Sequence, residues 1–489
     1  MLFFFLLLCK YFFFILFMRR IATIIGTTGV GKSQLGVELC KALHGQVINA
    51  DSMQVYKGLD VITNKMPIHE RQGIRHHLMD FLEPEEEYKV TEFKQDATDC
   101  IEKLSNDQQF PVIVGGTNYY IQSLLWHNML IKDNHIEQQR SPSPEPATSP
   151  ELENLDTNEL HARLQKFDPI MANRWHPSDR RKIMRSLQIY YQTGRPQSEI
   201  IKEQQEHHDT HGMQSRFKSL IFWLYAEPTK LNPRLDERVD KMIETGLFDE
   251  IKSLRNKVVE GNVQIPGQDL EKYQRGLWQA IGYKEFDPYF TAIETNDTSE
   301  QELEKIRKEC TERMKSATRR YAKRQVQWIR NKLLPIVNKS EDVDIFLLDA
   351  TDLDAWDSNV RNKAIDIATA FWENKPLPDA TSLGSVAASL LSPSSKTMDS
   401  QTRVLTWQKH TCHTCRTQTG EPLILHGDLE WKQHVTSRSH RKGLKRRSND
   451  IERAKRMKNN DSTASPPLTT TTAEETTVTS PSSSSSSSS

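Results

Sequence analysis

A chain of 489 residues with 36% hydrophobic content is long enough for two or three domains and apolar enough to bury a core. Its 65 basic and 65 acidic side chains cancel, so net charge names no partner and charge has to be read locally. Of six cysteines only Cys412 and Cys415 are close together, which excludes a disulfide framework and suits a reducing compartment with one metal site.

Residues 1–18, MLFFFLLLCKYFFFILFM, are an apolar run with a single lysine, followed by Arg19 and Arg20. By composition the run suits a signal anchor or a short membrane span. It ends one or two residues before the first strand, which leaves a membrane helix no spacer, and Met18 would itself start a chain whose strand begins on time. An upstream exon read into the chain, or an organelle-targeting segment, is expected in place of a membrane protein.

The apolar run Ile21 to Ile25 leads into GTTGVGKS, residues Gly26, Thr27, Thr28, Gly29, Val30, Gly31, Lys32 and Ser33, and then a helical pattern through Leu35, Val37 and Leu39. This is strand, glycine turn and helix start. In such a P-loop the glycines let backbone N–H groups close around phosphate oxygens. Lys32 reaches the terminal phosphates and the Ser33 hydroxyl can ligate Mg2+. The motif requires a di- or triphosphate and leaves the reaction open.

Gln46 to Ala50 reads as a short strand delivering Asp51 to the crevice where open parallel sheets bind ligands. There it can hold Mg2+, act as a general base, or merely cap the next turn. Arg75 to Phe81 is a short segment, and Tyr88 to Leu104 is helical through Val90, Phe93, Ala97 and Ile101. Phe110 to Gly116 is another buried strand, ending in glycines and Thr117. The acidic Mg2+ ligand that a nucleotide-hydrolysing motor or switch carries at such a strand end is missing.

A helix is expected from Tyr119 to Trp126, then a polar Ser/Pro/Glu-rich insertion over 138–150. Order resumes at Asn158. Ser178 or Asp179 can cap a helix from Arg180 to Thr193, which Gly194 stops. Its apolar face carries Ile183 and Leu187, while Arg180, Arg181 and Arg185 form a basic face that is either solvated or set against nucleic acid. Leu220 to Ala226 returns the chain to the sheet. Helices follow over Leu231 to Ile243, Phe248 to Leu254, Gly276 to Phe286 and Leu303 to Leu333.

On the last of these, Ile306, Cys310, Met314, Ala317, Tyr321 and Trp328 make a buried stripe. Arg319, Lys323 and Arg330 share another face, with Arg320 and Arg324 beside it, a concentration of cations that suits phosphates. A final strand, Val343 to Leu348, and a helix, Ala364 to Trp372, end the catalytic domain near Asn374, with a Ser/Ala/Pro-rich linker over 375–406.

Cys412 and Cys415, then His434 and His440, have the spacing of tetrahedral Zn2+ ligands in a finger over 407–445. Eighteen residues separate Cys415 from His434, more than in a DNA-reading finger, and a segment this short draws its folding energy from the metal. The basic run Arg438 to Lys458 suits a nuclear address or a phosphate-binding extension. The tail, 446–489, is expected to be basic and then disordered and Ser/Thr-rich. The fold class is α/β: a P-loop NTPase-like parallel sheet flanked by helices over 19–374, a helical insertion at about 119–215, and a zinc finger.

GTTGVGKS, NADSMQVYKGLDVITNK, HHLMDF, VIVGGTNYY, DPIMANRWHPSDRRKIMRSLQIYYQTG, GLWQAIGYKEF and TRRYAKRQVQWIRN follow one another in the order that resembles the tRNA dimethylallyltransferases, or tRNA isopentenyltransferases. The likeness covers Ile21 to Trp372. WKQHVTSRSHRK with its upstream cysteines is similar to the matrin-type finger of eukaryotic members.

The resemblance implies that dimethylallyl diphosphate gives its five-carbon group to the exocyclic amine of the adenosine 3′ of the anticodon in tRNA. It further implies that Gly26 to Ser33 hold the departing diphosphate with Lys32, Mg2+ and Arg319, joined by Lys323 or Arg324. By the same resemblance Asp51 takes the amine proton, Ser52, Met53 and Gln54 hold the adenine, Thr117 lines the channel, and Arg181 and Arg185 touch tRNA. Bacterial forms have arginine where Met53 stands. A monomer working in cytoplasm and mitochondrion, and through its basic tail in the nucleus, is expected. On the residues alone a small-molecule P-loop kinase and a zinc-finger RNA-binding protein stay open.

Overall fold

Strand β1 (Arg20–Gly26) is buried from its second residue on, and its β-branched Ile21, Thr23, Ile24 and Ile25 suit extended backbone. Ala22 and Ile24 pack into one core while Ile21 and Ile25 pack into another, so both faces of the strand are covered. A parallel sheet requires this. The chain is described by a computed structural model over residues 19–127, 129, 152, 154–261, 263, 273, 276–295, 297–392, 409–417, 420 and 422–461. The apolar start, the insertion at 138–150, Trp407 and the Ser/Thr-rich end lie outside these residues.

The sheet adds β2 (Gly45–Asn49), β3 (His76–His77), β4 (Phe110–Val114), β5 (Lys218–Tyr225) and β6 (Val343–Asp349), all parallel, in the order β3-β2-β4-β1-β5-β6. The carboxyl ends of β1, β2 and β4 therefore meet along one edge, and the residues following them are the glycine loop, Asp51 and Gly115 to Thr117. The principal helices are α1 (Lys32–Leu43), α2 (Val90–Asn106), α3 (Asn118–Leu125), α4 (Thr157–Phe167), α5 (Pro169–Arg174), α6 (Arg180–Thr193), α7 (Gln197–His211), α8 (Pro228–Glu244), α9 (Leu247–Val259), α10 (Tyr283–Thr295), α11 (Glu300–Trp328), α12 (Asn362–Trp372), α13 (Ser385–Leu391), α14 (Gly427–Thr436) and α15 (Arg438–Asp461).

Helices α1 and α12 cover one face of the sheet, and α2 and α3 the other. A third core joins Val55, Tyr56 and Ile62, from the segment after β2, to α8, α9, α10 and α11 through Val239, Ile251, Phe286 and Met314. The segment after β2 is pinned from within by Lys65, whose side chain is 2% exposed. Its ammonium donates to the Tyr56 carbonyl at 2.6 Å, to Asp60 Oδ1 at 2.8 Å, and to Asp80.

Ordered packing continues beyond Asn374, where the catalytic domain is expected to end. A short turn at Ala380–Leu383 and α13 follow, with Ala387 buried against the sheet. In a Ser/Ala-rich stretch a few spaced Leu and Ala residues suffice to dock a helix. Helix α15 continues past 445 to Asp461, into the stretch expected to be a basic tail.

Packing also divides the chain into two units, 1–155 with 184–405 and 156–183 with 406–489, the boundary falling inside α6. Residues 156–183 thus belong with the finger and not with the catalytic domain. The contact responsible is specific: Lys409 Nζ donates to the Ala172 carbonyl at 3.0 Å, an oxygen also 3.0 Å from His161 Nε2. At the start of α6 the cap is Asp179, whose Oδ1 accepts from the Lys182 N–H at 3.2 Å.

Candidate active site

The glycine loop turns from β1 into α1 through Gly31, at φ 92°, which caps the helix with no side chain. The first amides of α1 are left open, as an anion site needs. Lys32 lies in the loop, its Nζ donating to the Thr27 carbonyl at 2.7 Å. The Thr27 hydroxyl is buried without a partner among the described residues, a group that a bound oxyanion can satisfy.

Asp51 sits at the mouth of this loop, where β2 ends. Asn49 holds the turn: its Oδ1 accepts from the Asp51 N–H at 3.1 Å and its Nδ2 donates to the Leu78 carbonyl at 2.9 Å. Asp51 Oδ1 accepts from the Met53 N–H at 3.0 Å. Burial pushes the Asp51 carboxyl above its ordinary range, against the pull of that N–H, Lys32 and Arg238. Burial likewise lowers Lys32 to about 8, with Asp51 pulling it up and Arg238 pushing it further down. A carboxylate and two cations thus act on one another at the loop. A carboxylate with a raised pKa beside a phosphate cradle has the makings of a proton acceptor.

Arg238 was not foreseen from the sequence. It stands on α8 beside Leu235, which packs against Gly29. Burial lowers it to about 10, and the facing Asp51 works the other way. The signal was present: Leu231, Leu235, Val239 and Met242 form the buried stripe of α8, and Arg238 is three residues after Leu235 on the same side.

The long helix α11 reaches the site through two residues. Gln325, 4% exposed, accepts from the Thr28 N–H at 2.8 Å and donates from Nε2 to the Gly116 carbonyl at 3.1 Å. A Cβ on Gly116 would lie 2.6 Å from Gln325 Nε2, too close for the amide to stay where it is, and 3.6 Å from Asp51 Oδ2 and 3.7 Å from the Tyr321 hydroxyl, so the three groups converge on this glycine. Burial and the Asp51 charge both raise the Tyr321 phenol, which stays protonated as a donor.

Ser52 and Thr117 meet: Thr117 Oγ1 accepts from the Ser52 N–H at 3.0 Å and its hydroxyl donates to Ser52 Oγ at 3.1 Å. Gln54 is engaged elsewhere, its Nε2 donating to the carbonyls of Thr63 and Asn64, and Met53 packs against the third core. Arg319 is paired with Asp236 of α8, so the cation facing Asp51 beside Lys32 is Arg238. Lys323 and Arg324 are exposed on α11, with Arg324 6.0 Å over the Tyr321 ring, and Arg181 and Arg185 are exposed on α6.

The second unit holds a separate group. Cys412, Cys415, His434 and His440 bring their ligand atoms within 4.8 Å of one another. Both Sγ atoms are 3.5 Å from His440 Nδ1, which is 3.0 Å from His434 Nε2. The cysteines lie on β7 (Lys409–Arg416), paired antiparallel with β8 (Pro422–His426), at a register shift between Cys412 and Arg416. The histidines come from α14 and α15. Two sulfurs and two imidazoles at this spacing fit a tetrahedral metal ion with bonds of about 2.0–2.3 Å.

Known proteins resemble the chain over most of its length. The model of the family described as IPP transferase matches residues 54–332. A Saccharomyces cerevisiae protein named tRNA dimethylallyltransferase is 39% identical over 439 residues, 89% of this chain and 95% of that one. A Homo sapiens protein of the same name is 36% identical over 438 residues, 87% of this chain and 86% of the relative. Among solved structures, a eukaryotic dimethylallyltransferase acting on tRNA matches with a TM-score of 0.70 at 36% identity, covering 89% of this chain and 99% of the other.

Proposed function

This chain belongs to the IPP transferase family, and we propose from that premise that it transfers the dimethylallyl group of dimethylallyl diphosphate to the exocyclic amine of the adenosine 3′ of the anticodon in tRNA. The observation that carries the reading is the meeting of Asp51, Lys32 and Arg238 at the mouth of the glycine loop. The prenyl C–O bond breaks and its electron pair leaves with the diphosphate. The adenine nitrogen forms the new C–N bond, and its proton passes to the Asp51 carboxylate. Lys32, Arg238 and the amides after Gly31 meet the charge that grows on the departing oxygens. The adenine must leave its stack to reach this crevice, with Ser52 and Thr117 set at its wall.

The Ser33 hydroxyl and the Asp51 carboxylate are oxygen donors of the kind Mg2+ takes, and both border the phosphate cradle. When bound, Mg2+ supplies charge neutralisation on the diphosphate. Cys412, Cys415, His434 and His440 would hold Zn2+, which supplies folding energy to the finger. The exposed Arg181, Arg185, Lys323 and Arg324 are proposed to meet tRNA phosphates, and the chain to act as a monomer in cytoplasm and mitochondrion, with the basic α15 as a nuclear address. Among the described residues no helix is long and apolar enough to cross a membrane.

Purified protein incubated with tRNA and radiolabelled dimethylallyl diphosphate, and separately with labelled ATP, tests the reaction. Label should enter tRNA from the prenyl ester with release of diphosphate. Consumption of ATP with no prenyl transfer would instead mark a kinase, and tRNA binding without either a scaffold.

A further inference from the structure

We propose that Trp356 is a specificity-determining residue that closes the nucleoside flank of the glycine loop, so that the loop accepts a diphosphate ester of a small alcohol and turns away nucleoside di- and triphosphates. The proposal rests on the reading of the loop as a diphosphate site and adds how nucleotides, the commoner P-loop ligands, are refused.

The sheet order gives the loop two unlike sides. Asp51 and Gly116 to Thr117 follow β2 and β4, which lie on one side of β1, whereas β5 and β6 lie on the other. A nucleotide whose reacting end points toward Asp51 must send its ribose and base out past β5 and β6. That exit is occupied. The segment after β6 turns back over the loop and sets the Trp356 indole against it, where a Cβ on Gly31 would lie 2.5 Å from the ring. The indole is 6% exposed and its Nε1 donates to Glu38 of α1, 3.2 and 3.1 Å from the two carboxylate oxygens.

The segment that carries the indole is itself fixed. Arg234 of α8 donates to the carbonyls of Ala350 and Thr351, and the Ala350 N–H donates to the Tyr225 carbonyl at 2.7 Å. Thr351 Oγ1 accepts from the Glu227 N–H at 3.0 Å. The indole lies against Gly31, so it stands beside the phosphate loop in the path that a nucleotide's ribose would take toward solvent. The Glu38 carboxylate, by accepting from the indole N–H, holds the ring in that orientation.

The test is titration calorimetry of the full chain with pyrophosphate and with ADP, each with Mg2+, for wild type, Trp356→Ala and Trp356→Phe. Wild type should bind ADP no more tightly than pyrophosphate. Trp356→Ala should shift the ratio of the two affinities at least tenfold toward ADP while pyrophosphate binding stays within threefold, and Trp356→Phe should shift it by about threefold. A ratio unchanged in Trp356→Phe overturns the proposal even where Trp356→Ala fails to fold. So does a wild type that already favours ADP tenfold. Failure of the wild type to prenylate tRNA would refute the assigned reaction alone, since the affinity ratio is read without turnover.

Discussion

The Gln325 side chain joins two strand ends at once: it accepts from the Thr28 N–H of the glycine loop at 2.8 Å while donating to the Gly116 carbonyl after β4. A buried amide satisfied on both sides fixes the distance between the phosphate cradle and the wall facing Asp51. Gln325→Leu keeps the volume and removes both bonds, at about 1 kcal/mol each. Steady-state kinetics should show kcat/KM for dimethylallyl diphosphate down by roughly 30-fold. A loss under threefold would make the residue ordinary packing.

Asp51→Asn should lower the single-turnover rate of prenyl transfer by about 10²–10⁴-fold, the range for a lost general base, while tRNA affinity by filter binding stays within about twofold. Unimpaired transfer by this variant would remove Asp51 from the reaction.

The pH profile follows from the same pair. A protonated Asp51 cannot accept a proton, so kcat/KM should fall as pH drops through a pKa that burial has raised above the ordinary carboxylate range. A neutral Lys32 cannot offset phosphate charge, so kcat/KM should also fall as pH rises through about 8. Lys32→Arg keeps its charge in that region and should extend the alkaline limb upward, even if the maximum is lower. An alkaline limb that does not move would assign it to another group.

Arg238 and Arg319 separate cleanly. Arg238→Gln should raise KM for dimethylallyl diphosphate or lower kcat by about 100-fold in total, the scale of one lost charged donor in a catalytic cradle. Arg319→Gln, which breaks a pair with Asp236, should cost under about tenfold. The reverse ranking would restore Arg319 to the clamp.

For the finger, Cys415→Ser should reduce bound zinc measured by mass spectrometry and weaken tRNA binding with a shallower salt dependence, leaving single-turnover transfer at saturating tRNA unchanged. Unchanged affinity after zinc loss would make the finger a localisation or partner module.

Much of this was legible because chemistry and local pattern coincide. Gly26 to Ser33 announce themselves through spacing, and Asp51 through its place at the end of an apolar run. The four metal ligands are set by Cys and His intervals. Arg238 was passed over although it stands beside the buried stripe of α8, because what sets that helix against the loop is the crossover from β5, a tertiary arrangement. The pairing of Arg319 with Asp236, 83 positions away, was equally beyond any local pattern. The docking of α13, and the contact of Lys409 with Ala172, likewise depend on residues that no window of sequence contains together.

The central position of β1 has a consequence for biosynthesis. Its two neighbours, β4 at residues 110–114 and β5 at residues 218–225, leave the ribosome long after it does. At about 5–20 residues per second, a strand of Ile and Ala waits on the order of ten seconds or more with at least one unpaired edge. The nascent chain therefore carries an unpaired apolar strand edge through much of its synthesis, and slowing elongation before β5 should lower yield more than slowing it after.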